Sequence, residues 1–230
     1  MSIPFSYQTD EIDALERSLS VERLGGYVRS AQGDRGLAIR LYERNTRLSE
    51  SMYGVVQGLE ICLRNALHRV LSSAYGADWY GHMTMLSYPL PQKIAAAQDS
   101  IIRQGKLLTP GRVVAELSFG FWTALVGPKY EKRLWVPHLH KAFPNALRPV
   151  SADALPRKKP AMLDRSGIAS RLEGVRQLRN RIAHHEPILH FKLDSQYRWI
   201  LEATGWICRV TAAWIGATSS FQERYAAPLR

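Results

Sequence analysis

The chain has 230 residues, 46% of them hydrophobic, with six Trp and ten Tyr, which excludes a disordered polymer and allows a substantial core. Thirty-one Lys and Arg against twenty Asp and Glu leave a formal net charge of +11, which favours a polyanionic partner, nucleic acid before an anionic membrane surface. Cys62 and Cys208 are the only cysteines, so no disulfide framework is implied and a reducing cytoplasm is the expected compartment.

The opening residues lack a charged segment followed by an apolar one, so no signal peptide is expected. Strand signals are scarce, and neither Asn-Gly nor Asp-Gly occurs. Helical periodicity recurs instead. Thr9 or Asp10 caps a first expected helix carrying Ile12, Leu15 and Leu19, and a second amphipathic piece covers Val21–Ser30. A helical segment follows from Asp34 to Leu48. Ser49 or Ser51 is then expected to cap a long helix ending near Tyr75, with Met52, Val55, Val56, Leu59, Leu63, Leu67 and Val70 as its stripe. Gly76 terminates it, and Asp78-Trp79-Tyr80 begins a loop.

Pro89 and Pro91 introduce a helix through Ile94, Ala97, Ile101 and Ile102, and Thr109-Pro110 reads as an N-cap with proline at the first helical position. From Ser118 to Pro160 aromatics alternate with prolines, which predicts short helices and ordered loops, with Arg157-Lys158-Lys159 a solvated basic run. The apolar residues Ile168, Leu172, Val175, Leu178 and Ile182 predict a helix from Ser166 to about Glu186. Asp194 or Ser195 caps one last long helix through Trp206, Val210 and Trp214. Trp206 to Ile215 is too short to span a bilayer and carries Arg209. The expected fold is all-α, one domain over residues 1–230.

The segment from Leu178 to Leu189 concentrates chemistry. It sets Arg179, Asn180, His184 and His185 within about two helical turns before Glu186-Pro187 stops the helix. At about 100° per residue, Arg179 leaves the edge of the apolar stripe while Asn180 and His184 share a flank turned away from it. His185 falls on the opposite flank, better placed to support structure, although fraying before Pro187 leaves the choice of imidazole open. This trio suits metal-free RNA cleavage. Histidine can move the 2′-hydroxyl or leaving-group proton, arginine can hold the charge developing on the phosphate, and asparagine can orient either. The competing reading is that all three only bond neighbouring backbone at a helix end.

Elsewhere, Glu60, Arg64 and His68 are successive i, i+4 neighbours, with Asn65 beside them, either as a structural ladder or as support for the motif helix. Asn45 near Tyr42 is a weaker case of the same kind. His138, His140 and His190 lack cysteine or acidic partners at metal spacing, so no metal or other cofactor is expected, and no Gly-Lys-Ser/Thr loop suggests an NTPase. Phe119, Trp122 and Trp135 are base-stacking candidates that read more simply as core. Arg103, Lys106, Arg112, Lys129 and Lys132 are scattered cations able to meet phosphates.

The run LRNRIAHHEPI at Leu178–Ile188 resembles the signature of Abi-like proteins, the abortive-infection group of the HEPN superfamily. LYERNTRLSESMYGVVQGLEICLRNALH, GADWY, VAELSFGFWTALVGPKYEKRLW and KAFP resemble that family's blocks in its order, over about residues 35–215, with 1–34 as a helical extension. The resemblance implies a HEPN-like helical bundle and a motif of arginine, four to six residues, then histidine, which Arg179, Asn180 and His184 match and His185 also fits. It implies a homodimer that brings two motifs into one metal-independent endoribonuclease site. The implied biology is phage defence or a toxin role, with an antitoxin protein or RNA as a possible partner. The alternative is a non-catalytic RNA-binding or regulatory module of such a system.

Overall fold

The structure, a computed structural model, describes residues 5–82, 85–147 and 163–229, and among them helices recur with no extended strand. The basic run Arg157-Lys158-Lys159, with Pro149 and Pro156, lies outside the described residues. The first helix, α1 (Thr9–Leu19), is capped by Gln8, one residue ahead of the expected cap, because Glu11 reaches back to the Gln8 N–H (2.9 Å). The second, α2 (Val21–Ser30), starts where Ser20 Oγ accepts the Arg23 N–H.

The organising element is α3 (Arg35–Tyr75), a single helix of 41 residues and about 60 Å, opened by the Asp34 carboxylate on the Leu37 N–H (2.8 Å). The expected start at Ser49 or Ser51 is corrected. Ser51 is buried and turns its hydroxyl back to the Leu48 carbonyl (3.0 Å), which satisfies it inside the helix. The stripe continues in phase from Ala38 and Ile39 through Leu48, Met52, Leu59, Leu63 and Leu67, so nothing interrupts the packing. Gly76, at φ +92°, ends it in a conformation that favours glycine.

After a 3₁₀ turn at Trp79–Gly81 come α4 (Leu90–Arg103), α5 (Pro110–Glu116) and α6 (Phe119–Leu125), then a run of short 3₁₀ and π turns up to Ala142. Trp79, Phe119, Phe121 and Trp122 are almost wholly buried against α3, and Trp135 is buried as well. The three base-stacking candidates are therefore core, unavailable to a nucleic acid. The motif helix α7 (Arg165–Ala183) begins with Asp164 Oδ1 on the Gly167 N–H (2.8 Å) and ends three residues before the expected Glu186.

The expected last helix is two, with a third, short one beyond it. Cys208 takes extended backbone (φ −149°, ψ 111°) between α8 (Leu193–Ile207) and α9 (Arg209–Thr218), and α10 (Phe221–Ala226) follows. The Trp206 carbonyl is taken by the Asn145 N–H (2.9 Å) and the Cys208 sulfur accepts the Thr211 N–H, so α8 ends and α9 begins at one residue. The break rotates the apolar phase. Val210 and Trp214 are exposed, while Ile215 packs on α3 at Gly58.

Candidate functional site

The end of α7 is a helix terminus built without glycine. His184 is the C-cap, its N–H donating to the Asn180 carbonyl (2.9 Å), so Asn180 and His184 stand one turn apart on one side. His185 follows at φ +57°, the left-handed position usually held by glycine, and its N–H reaches Ile182 O (3.1 Å) while the Glu186 N–H reaches Arg181 O (2.8 Å). That paired closure is a Schellman motif. His185 thus has a structural task in the turn, and His184 projects from the exposed end of the helix.

Three contacts hold the chain beyond the turn. Arg181 donates from Nε to the Pro187 carbonyl (3.0 Å), lies 3.4 Å from Glu186 and stacks over Phe191. Asn45 of α3, itself buried, accepts the Ile188 N–H through Oδ1 (2.7 Å), and Ile188 is fully buried. Arg23 of α2 donates to the His185 carbonyl. Leaving the Ile188 N–H without its acceptor would cost about 1–3 kcal/mol, so Asn45 fixes where the two histidines sit. Arg181 and Arg23 escaped the sequence reading. A cation in the last turn of a helix is a usable signal for Arg181, but nothing local marks Arg23, 162 residues from its partner.

Arg179 meets α3. Its Nε lies 3.5 Å from the Glu60 carboxylate, and the side chain keeps 32% of its surface exposed. That Nε is screened from solvent and makes no hydrogen bond, so the contact is electrostatic and fixes the guanidinium rather than saturating it. Such a pair adds about 0–1 kcal/mol to stability. Arg64, one turn beyond Glu60, likewise has a buried Nε without a partner.

Among the described residues, Asn180, His184 and Asn65 carry no side-chain hydrogen bond, and Asn65 and His184 are exposed. Their side chains are free to meet a ligand. The structure gives His68 a different neighbour from the one its spacing suggests: Nδ1 accepts the Trp79 indole N–H (3.0 Å) beside Ser72, and burial pulls its pKa below the usual imidazole value. The other imidazoles disperse. His138 packs edge-on to Tyr75, His140 faces the Trp135 carbonyl, and His190 lies against Phe191. Among the described residues no three His, Cys, Asp or Glu side chains gather as a metal site, and no described helix is long and apolar enough to cross a membrane.

The arrangement therefore offers a fixed cation, a free amide and an exposed imidazole at one helix end, with Glu60 beside the cation. No family model matches the chain, and no match is found among curated proteins or solved structures.

Proposed function

We propose that the protein is a metal-independent endoribonuclease of the HEPN type, acting in phage defence or as a toxin, and that its working form is a homodimer. The observation that carries this reading is the placement of Arg179 against Glu60 with Asn180 and His184 unengaged one turn apart at the exposed end of α7. Arg179 would bind the scissile phosphate and the charge that grows on it, since a guanidinium stays cationic and presents forked donors. His184 would take the 2′-hydroxyl proton or return one to the leaving 5′-oxygen, giving a 2′,3′-cyclic phosphate and a 5′-hydroxyl. Asn180 would orient the sugar or phosphate. One chain supplies one imidazole, so a second copy facing the first supplies the other half of the acid–base pair. The chain's +11 charge supports a polyanionic substrate.

The test is incubation with total RNA and with tRNA in EDTA. Cyclic-phosphate ends are expected, with cleavage falling by at least about 10²-fold in Arg179→Ala and His184→Ala. Equal cleavage by either variant and the parent would refute the reading. Binding without cleavage would leave the RNA-binding module instead.

A further inference from the structure

A separate basic cavity lies between α3 and the C-terminal segment around α10. Its volume is about 270 Å³, and its lining includes Arg40, Arg44, Arg47 and Arg224 together with Leu48, Glu43 and Glu223. Four arginines against two glutamates leave a surplus of two positive charges in one concavity. Three of the arginines are held, each in a different way. Arg44 donates both terminal nitrogens to main-chain carbonyls, Ala227 O at 2.7 Å and Tyr225 O at 3.0 Å, so it is fixed without losing its charge. Arg40 lies over the Tyr7 ring at 5.3 Å, which orients its plane and leaves its N–H groups available. Arg47 is tied to Glu43. Among the described residues Arg40, Arg44 and Arg224 have no carboxylate partner.

We infer that this cavity is a phosphate-binding site, taking a phosphoryl group of a polynucleotide strand or of a free mononucleotide. Forked donors held in advance lose less entropy on meeting a tetrahedral oxyanion than mobile lysines do. Leu48, Ala227 and Pro228 in the lining offer a sugar or base a dry wall. The site is built from α3 and the C-terminal segment, whereas the Arg179–His184 cluster sits at the end of α7 and on the mid-part of α3, so it stands independently of any cleavage.

The experiment uses the full chain and a fluorescent single-stranded oligonucleotide lacking 2′-hydroxyls, which no 2′-hydroxyl mechanism can cut. Anisotropy is read from 50 to 200 mM KCl for the parent, for Arg40→Gln/Arg224→Gln, and for the charge-matched control Arg17→Gln/Lys192→Gln, whose two cations are exposed elsewhere. The cavity variant is expected to lose about tenfold in affinity and to flatten the plot of log K against log salt by about 1.4, two phosphate contacts on a single strand. The control is expected to stay within about twofold of the parent. AMP titrated by calorimetry distinguishes the sources: heat that the cavity variant abolishes assigns a mononucleotide, and its absence beside oligonucleotide binding assigns the strand. Equal losses in cavity variant and control, or binding of neither probe by the parent, would overturn the inference. Unchanged circular dichroism and Tm in both variants confirm that folded proteins are being compared.

Discussion

At the scale of single residues, the two adjacent histidines differ in backbone conformation. His185 closes the helix end at φ +57°, where a side chain costs about 1–2 kcal/mol relative to right-handed backbone and glycine is at ease. His184 precedes it at φ −93° with its ring exposed. His185→Gly is therefore expected to keep the fold, to raise stability by up to about 1 kcal/mol in urea unfolding, and to leave RNA cleavage within about threefold. Loss of cleavage in that variant with an unchanged Tm would move the acid–base role to His185. The sequence had placed these rings on opposite flanks by helical phase. It did not contain the reason, because a left-handed residue at a helix end is unusual for histidine and follows from Arg23, Asn45 and Ile188 anchoring the chain beyond it.

At the scale of elements, α3 organises the molecule, and its two mid-helix glycines have opposite meanings. A Cβ on Gly58 would come within 2.4 Å of Ile215 Cδ1 and 2.9 Å of its Cγ1, so this glycine is what lets α9 lie close to α3. A Cβ on Gly54 would meet nothing within 4 Å. Gly54→Ala is expected to stabilise the protein by about 0.5–1 kcal/mol through helix propensity. Gly58→Ala gains the same propensity but overpacks a buried contact, at about 1–3 kcal/mol, so its net effect is expected to be destabilising by about 1 kcal/mol. Urea midpoints on the two variants check this, and shifts of the same sign would show that Ile215 yields without cost. The helical stripe of α3 was legible in the apolar spacing. The division of the last expected helix at Cys208 was not, since Trp206, Val210 and Trp214 fit one periodic pattern whether or not the chain bends.

At the scale of the whole molecule, the packing decides how charge and proton uptake follow the fold. His68, His138 and His190 all have pKa values lowered by burial. A lowered folded value means that the unfolded chain binds more protons below about pH 6.5, so the stability these groups hold is present above that pH and lost as pH falls through the folded values. Unfolding free energy is expected to fall between pH 7.5 and 5.5, above the range where the lowered carboxylates Glu16 and Glu173 take up protons. His68→Gln keeps an acceptor for the Trp79 indole and is expected to remove part of that slope. An identical slope in the variant would show that the buried ring does not couple to folding.

The amino-acid sequence by itself determined the helical class, the stripe of α3, the position of the motif helix and the residue types at its end, because these rest on local spacing that tertiary contacts do not alter. Only the tertiary structure decided that Glu60 faces Arg179 while His68 turns to Trp79, that Asn45 of α3 pins the chain after the histidines, and that four arginines meet across α3 and α10. Helical phase says which way a side chain leaves its own axis. What stands opposite depends on where distant segments pack.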